Sequence, residues 1–419
     1  MSQTEKKTGF FQLELAYHSS QFRWLMAGQT VSITGFIMAM LADGWLVLML
    51  TDSPFWVGVA AGVQGIGLIG FGLIGGVVVD RIGGRRALIM ARAGMAIAVL
   101  ILGVLTIGEW VALWHILLVA TVRGVGMAVG APAVNALAYD VAGRNRLLNA
   151  IGLLGAAETV SSILGGLAAG TLIAWAGVGP CYLAVGGSLA VSALAVVVMG
   201  HVPRSKASQE AVWRSAWDGM KYTMGQMDLR SLLMMSLIME LFGFSFLIML
   251  PVIARDVLDV GATGLGYLAA AGGVGALTAS MVVTSLGDFR SKGLLVTLGG
   301  GASGLTLILF ALSPWFGLSL VLAAALGGLL FAYDASMATL IQLVSSERMR
   351  GRVLGLYSMT WGFTPVGGFI SGGIATVLGA PAAIGLGGGL ILAYVLPASG
   401  GLRRIKEPGS VPQKETRPG

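Results

Sequence analysis

The chain contains few charged residues, one cysteine and three histidines among its 419 residues. Only 11% of the residues are charged, whereas 56% are hydrophobic and the mean hydropathy is +0.86. A water-soluble domain could not bury so much apolar surface, so the composition excludes that class and indicates an integral membrane protein. The single cysteine, Cys181, excludes an internal disulfide, and the scattered histidines do not form a metal-binding pattern. The sequence therefore predicts no metal and no cofactor.

Motifs that would indicate an enzyme or a processed precursor are also missing. No glycine cluster is followed by the lysine and hydroxyl residue of a phosphate-binding loop, and no nucleophile elbow occurs. The N-terminal segment is polar to about Arg23 and lacks the short apolar core and cleavage site of a signal peptide. We therefore expect a protein that is not an enzyme and that keeps its first hydrophobic segment.

Instead of such motifs, the chain has twelve long apolar runs. A helix of about 20 apolar residues crosses the roughly 30 Å hydrocarbon core of a bilayer, so each run predicts one membrane span. The predicted division is an N-terminal segment 1–23, a six-helix bundle 24–200, a linker 201–230, a second bundle 231–400 and a tail 401–419. The runs, called spans 1 to 12, are Leu25–Leu50, Phe55–Val79, Ala87–Ile107, Val111–Tyr139, Leu147–Ala176, Cys181–Met199, Ser231–Ala254, Ala262–Leu286, Gly293–Leu312, Trp315–Leu343, Val353–Leu378 and Ala382–Ser399.

The basic residues lie almost entirely in alternate loops. Of 26 lysines and arginines, 23 lie before span 1, after spans 2, 4, 8 and 10, in the linker or in the tail, and only Arg255 lies in a loop at the opposite end. Because cytoplasmic loops carry the basic excess, both termini and the linker are predicted to be cytoplasmic, in the cell inner (plasma) membrane. The net charge of +7 is thereby explained without a nucleic-acid partner. A surface-lying amphipathic helix is expected at Trp213–Met220 in the linker.

The two halves look like one unit used twice. Gly58 and Gly266 are separated by 208 positions, and so are Asp80 and Asp288 in equivalent loops. Parallel repeats about an axis normal to the membrane occur in secondary transporters, whose substrate site lies between the repeats near the bilayer midplane.

The loop after span 2 resembles the signature G-x-x-x-D-R-x-G-R-R of the major facilitator superfamily. Five positions match in register and one, Gly84, replaces an arginine; the matching residues are Gly76, Asp80, Arg81, Gly83 and Arg85. The resemblance extends over residues 20–400 and includes Arg123 with its following glycines. The phrases Gly44–Val47 and Thr51–Pro54 are similar to the bacterial branch of siderophore, macrolide and multidrug exporters. The resemblance implies an all-α fold of twelve transmembrane helices in two pseudo-symmetric six-helix bundles.

Asp80 lies at the end of span 2, where the helix dipole repels an anion, so its charge needs compensation. We predict that Asp80 faces the start of span 11 and Arg350 or Arg352 there when the cavity opens outward. The repeat implies a weaker mirror contact of Asp288.

Four acids lie inside spans, namely Asp43, Glu158, Glu240 and Asp334. Each costs a few kcal/mol in hydrocarbon and should face a partner, water or a cavity. Counting about 1.5 Å per residue, Glu158 lies roughly 16 Å and Glu240 roughly 13 Å from the cytoplasmic side, and Arg123 roughly 18 Å from the outer side. All three lie near the midplane, whereas Asp43 is nearer the outer face and Asp334 nearer the inner one.

Glu240 has no cation in its own span, and burial of an unpaired carboxyl favours the neutral form, which suits a proton carrier. Glu158 and Arg123 match in depth and are expected to pair, either as a packing salt bridge or as a coupling pair. Arg92 is expected to snorkel to the cytoplasmic interface.

Together these observations predict a secondary active transporter that works by alternating access, with proton-coupled export of hydrophobic or amphipathic small molecules of drug or siderophore type. An importer or lipid translocator of the same fold is the alternative, and a membrane enzyme or sensor on this scaffold is disfavoured because the chain shows neither a catalytic cluster nor a soluble domain. The expected partners are a small-molecule substrate, protons and the lipid bilayer, and the expected functional unit is a monomer.

Overall fold

The computed structural model describes residues 19–143, 146–202, 212–286 and 292–402, and within them it shows twelve helical spans long and apolar enough to cross a membrane. Each begins and ends within five residues of its predicted bounds, which confirms the all-α membrane fold. A further helix, Val212–Met224, lies in the linker and contains the predicted amphipathic segment. In chain order the spans are Ser20–Thr51, Pro54–Ile82, Gly84–Ile107, Leu113–Ala142, Leu147–Ala176, Val178–Val198, Met227–Val257, Gly261–Leu286, Lys292–Ala311, Phe316–Val344, Arg350–Leu378 and Ala380–Leu402.

Short turns join many of the spans because single residues adopt backbone angles that end a helix. Gly83, Gly177 and Gly379 have φ angles of 91°, 90° and 84°, and each donates its N–H to a carbonyl in the preceding turn. Asp52 ends span 1 with a φ of 49°, and Pro54 then begins span 2, where its missing N–H is not needed. Neighbouring spans joined in this way run antiparallel.

The two bundles use equivalent packing partners, which confirms the pseudo-symmetry. Span 2 packs on span 4 and span 3 on span 6, as span 8 packs on span 10 and span 9 on span 12. The repeat-related Gly58 and Gly266 both lie where one bundle meets the other. A Cβ on Gly58 would lie 3.1 Å from the Cα of Gly372, and a Cβ on Gly266 would lie 2.7 Å from the Cα of Gly170. Glycine permits this close approach of helix backbones.

The bundles touch at one end and separate towards the other. Gly58, Gly62 and Gly65 of span 2 lie against span 11, but Gly72 and Gly76, further along the same face, have no described atom within 4 Å of a Cβ position. Span 5 diverges from span 8 in the same direction. We call the touching end the closed end and the other, which carries the linker helix, the open end. A cavity therefore opens between the bundles at the end that the basic residues predict to be cytoplasmic.

Candidate functional site

Spans 7 and 11 of the C-terminal bundle are not continuous α-helices. Span 7 changes from α-helix to π-helix at Met239–Phe244 and again at Ile253–Val257, and span 11 contains a 3₁₀ turn at Trp361–Phe363. Pro365 follows that turn at the start of the next helical segment. The first π segment and the 3₁₀ turn contact each other. Such interruptions frequently mark functional sites, because they free backbone groups and re-aim side chains.

Glu240 lies within the first π segment and accepts a hydrogen bond from the hydroxyl of Thr364, just after the turn in span 11. Glu240 is 4% exposed, and no described cation forms a salt bridge with it. The sequence did not predict the contact with Thr364, because neither interruption has a distinct sequence signal apart from Pro365.

Asp334 on span 10 is half-buried and accepts a hydrogen bond from the hydroxyl of Tyr357 on span 11. The rings of Tyr357 and Trp361 lie edge to face with their centroids 6.2 Å apart, and Trp361 is 51% exposed. The neighbouring Tyr333 is 1% exposed, and its hydroxyl has no hydrogen-bond partner in the described part of the chain.

Arg123 pairs with Asp43, not with Glu158, so the predicted pairing is wrong. One terminal nitrogen of Arg123 donates to Asp43, and the hydroxyl of Tyr182 donates to the other carboxylate oxygen at 2.8 Å. The guanidinium also lies over the ring of Phe36, 5.8 Å from its centroid. Spans 1, 4 and 6 thus share one buried polar cluster inside the N-terminal bundle. Depth along a span could not show which way Arg123 points around the helix axis.

Glu158 is exposed and faces the cavity, on the side of span 5 that approaches span 1 and span 8. One turn further along, Ser161 donates to the carbonyl of Thr30 in span 1, which fixes this face of the helix. No described residue donates a hydrogen bond to Glu158 or forms a salt bridge with it. Within the described part of the chain, Glu158 is therefore a carboxyl without a cation partner.

Arg92 is buried, so the prediction that it snorkels is wrong. Its side chain is 2% exposed and donates to the side-chain oxygen of Gln29 at 2.5 Å and to the carbonyl of Ser192 at 3.4 Å. Spans 1 and 6 supply these acceptors inside the N-terminal bundle, so the guanidinium has polar partners without reaching the interface.

Arg255 connects the two bundles at the closed end. It lies in the second π segment of span 7 and donates to Asp52 at 2.6 Å and to the carbonyl of Leu48 at 2.9 Å, both at the end of span 1. A second salt bridge holds Arg255 to its neighbour Asp256 at 2.5 Å. In the sequence, Arg255 was distinguished only as the one basic residue in a loop at that end. Its isolation there was the signal from which a contact between the bundles could have been predicted.

The loop after span 2 lies at the open end. Arg85 donates to the carbonyls of Val196 at 3.2 Å and Val197 at 2.8 Å, so it caps the end of span 6. The contact of Asp80 with Arg350 or Arg352 was predicted for the conformation in which the cavity opens outward. This structure opens at the other end, so the contact stays a prediction.

The residues predicted to meet Asp80 have other contacts in this state. Arg352 bonds to Asp218 of the linker helix at 3.3 Å, and Arg350 donates to the carbonyl of Gln342 at 3.0 Å. Asp288, with its predicted mirror contact, lies outside the described residues.

Comparison with known sequences finds one matching family model and relatives that are exporters. The family model described as transmembrane secretion effector matches residues 15–417. The enterobactin exporter EntS of Shigella flexneri is 25% identical over 354 residues, and that of Escherichia coli O139:H28 is 23% identical over the same length. Each alignment covers 84% of this chain and 84% of the relative.

Comparison with solved structures shows the same architecture. The nucleoside transporter NupG superposes with a TM-score of 0.71 at 14% identity. The superposition covers 92% of this chain and 100% of NupG. A bacterial homologue of the human lysosomal transporter Spinster, in an inward-facing and unoccupied conformation, gives a TM-score of 0.69 at 14% identity. That superposition covers 94% of this chain and 96% of the homologue. At these identities the likeness concerns the fold alone.

Proposed function

The chain belongs to the transmembrane secretion effector family of the major facilitator superfamily, and on this premise we propose that it is a proton-coupled exporter of hydrophobic or amphipathic small molecules. It is a multi-pass membrane transporter with exporter relatives. The finer proposal is that substrate enters the cavity from the cytoplasm and leaves on the outer side by alternating access. The cytoplasmic position of the open end follows from the basic loops.

The observation that carries the proposal is the position of Glu240. It is 4% exposed within the first π segment of span 7, and the hydrogen bond with Thr364 joins it to the interruption of span 11. An ionised carboxylate accepts the hydroxyl proton of Thr364, whereas a protonated Glu240 would itself donate to the same oxygen. Proton binding therefore changes the contact between two interrupted helices, which gives a route from protonation to movement.

Glu158 is a second carboxyl able to carry a proton. Arg123 does not hold it ionised, because that cation is bound to Asp43. Proton binding to Glu158 would remove a negative charge that no described cation balances. We assign the coupling proton to Glu240 and treat Glu158 as its rival.

The test uses everted membrane vesicles in which proton movement is followed with a pH-sensitive acridine dye. Ethidium, a macrolide and a catecholate siderophore are added in turn, and a substrate should release protons from the wild-type vesicles. Glu240→Gln should abolish this release and proton-driven uptake but retain substrate exchange without a gradient, because exchange need not move the proton. Glu109→Gln, which removes an acid from the closed-end turn at residues 108–112, is the matched control.

Full proton-driven uptake by Glu240→Gln would transfer the coupling role to Glu158, and Glu158→Gln would then show the loss. If no added compound moved protons in wild-type vesicles of confirmed protein content, proton-coupled export of these classes would be wrong.

A further inference from the structure

We infer that the linker helix, Val212–Met224, binds the anionic lipid surface of the cytoplasmic leaflet and thereby holds the start of span 11 in the position seen in this open state. The inference goes beyond the proposed function, because it requires neither a particular substrate nor proton coupling. One face of the helix binds lipid, and the opposite face fixes the C-terminal bundle.

The side chains of the linker helix are distributed in the opposite way from those of a helix that packs on a protein core. At about 3.6 residues per turn, Trp217, Met220 and Met224 share one face, and they are 64%, 38% and 48% exposed. The opposite face carries Gly219, which is buried, and Thr223, which is 0% exposed. The helix therefore turns small and polar residues towards the protein and large apolar residues away from it. Such a face indicates an apolar partner outside the protein.

The outward face continues into the lipid-facing surface of span 7. Only residues 225 and 226 separate the end of the linker helix from the start of that span. Met227 in the first turn of span 7 is 73% exposed, and Met234 two turns further along is 40% exposed. A tryptophan and methionines that lie beside the end of a membrane span meet the headgroup region of the bilayer. The occupant of this face is therefore lipid.

The charges beside this face fit an anionic lipid. Lys221 and Arg230 are both exposed next to the apolar residues. Of the acids in the same stretch, Asp218 bonds to Arg352, and Asp228 lies in the first turn of span 7, where the helix dipole favours an anion. The cytoplasmic leaflet carries a negative surface potential that attracts lysine and arginine close to the membrane.

The inward face of the linker helix is bonded to the region where span 11 begins. Asp218 accepts from Arg352 at 3.3 Å, and the hydroxyl of Tyr222 accepts from the backbone N–H of Ser346 at 3.2 Å. A Cβ on Gly219 would lie 3.1 Å from the Cβ of Arg352, so the two segments are in close contact. The linker helix also contacts span 2 of the N-terminal bundle. Its position is therefore coupled to the open end of the cavity.

These contacts give lipid binding an effect on the conformational equilibrium. Outward opening is predicted to bring the start of span 11 to Asp80, and for Arg352 this means leaving Asp218. A helix that the bilayer holds in place keeps Asp218 and Tyr222 against span 11 and opposes that movement. Anionic lipid thus stabilises the open state to the extent that it binds the helix better in this position than in the other.

The first measurement locates the outward face. Full-length protein that carries Cys181→Ala and a spin label at Met220→Cys is reconstituted in nanodiscs of equal parts phosphatidylcholine and phosphatidylglycerol. Collisions of this label with oxygen, which partitions into lipid, should exceed those with a water-soluble nickel complex. A label at Glu347→Cys, exposed in the turn before span 11, is the control and should show the reverse. A Met220 label that meets mainly nickel would assign the face to a soluble partner and overturn the inference.

The second measurement follows the open end with spin labels at Tyr139→Cys and Glu347→Cys, which lie in different bundles. Phosphatidylglycerol should raise the long-distance population above that in phosphatidylcholine alone. Lys221→Gln should reduce this lipid-dependent shift by about fivefold, the factor expected for one basic residue near the surface. Trp217→Ser should also reduce it, whereas Trp175→Ser, which changes an 86% exposed tryptophan at the closed end, should leave it unchanged.

Asp218→Asn separates lipid binding from its effect on span 11. The Met220 label should remain in lipid in this variant, but phosphatidylglycerol should no longer shift the distance at the open end. Three results would each overturn the inference: no effect of phosphatidylglycerol on the wild type, the full effect in Asp218→Asn, or the full effect in both Lys221→Gln and Trp217→Ser. Because these measurements use neither substrate nor a proton gradient, their outcome is independent of that of the proposed function.

Discussion

Removal of Arg255 is expected to loosen the closed end of the transporter. This side chain donates to Asp52 at 2.6 Å and to the carbonyl of Leu48 at 2.9 Å, so it holds span 7 to the end of span 1. Asp52 is 87% exposed, and an ion pair so open to water contributes about 0.2–1 kcal/mol. The hydrogen bond from Arg255 to the carbonyl of Leu48 contributes about 1.5 kcal/mol, the lower end of the range for a charged donor. The lower value applies because the Arg255 side chain is 26% exposed to water.

The two contacts together stabilise the closed end by about 2 kcal/mol, which corresponds to a roughly 30-fold shift of the conformational equilibrium. Arg255→Ala should therefore move the population by about that factor towards a state open at this end. Asp52→Ala leaves the hydrogen bond to Leu48 in place and should shift the conformational equilibrium by only about twofold. Asp256→Ala is the matched control, because it removes a partner of Arg255 that lies within the same bundle.

The assay is electron–electron resonance between spin labels at Trp110→Cys and Leu312→Cys, two closed-end positions in different bundles that are each 73% exposed. Cys181→Ala provides the background, since that thiol is buried. The long-distance population should rise in the order Asp256→Ala, Asp52→Ala, Arg255→Ala. A distribution for Arg255→Ala that equals that of Asp256→Ala would refute the reasoning that the contacts between bundles hold this end shut.

Two further predictions concern the N-terminal bundle and the orientation. Asp43→Ala and Arg123→Met should each lower the free energy of unfolding by about 3–5 kcal/mol, because each leaves a buried charge without its partner. The double variant should lose less than the sum of the two single losses. A double variant whose loss in thermal unfolding equals that sum would contradict the pairing. In the Cys181→Ala background, a membrane-impermeant thiol reagent should label Trp110→Cys in intact cells and Met227→Cys only in everted vesicles, and the reverse result would invert the predicted topology.

The sequence by itself determined the number of spans, their approximate bounds and the pairing of repeats. These properties depend on local quantities: the length of an apolar run against the bilayer thickness, and turn residues that end helices, such as Gly83 and Pro54. The separation of 208 positions between Gly58 and Gly266 likewise predicted two equivalent bundles, and both glycines lie where those bundles touch.

The polar partners inside the bundle were determined only by the tertiary structure. Counting residues gives the depth of Arg123 and Glu158 but not the direction in which each side chain leaves its helix, nor which helix lies opposite. Arg123 pairs with Asp43 in its own bundle, while Glu158 is exposed and forms no salt bridge in the described part of the chain. Arg92 was misjudged for the same reason, since Gln29 comes from a distant part of the chain.

The position of Glu240 combines both levels. An acid near the midplane without a cation in its own span could be found from the sequence, and its physical cost in hydrocarbon made it a candidate. Its contact with Thr364 depends on a π segment in span 7 meeting a 3₁₀ turn in span 11. Both spans belong to the C-terminal bundle but lie far apart in the sequence, so only the folded structure could show their contact.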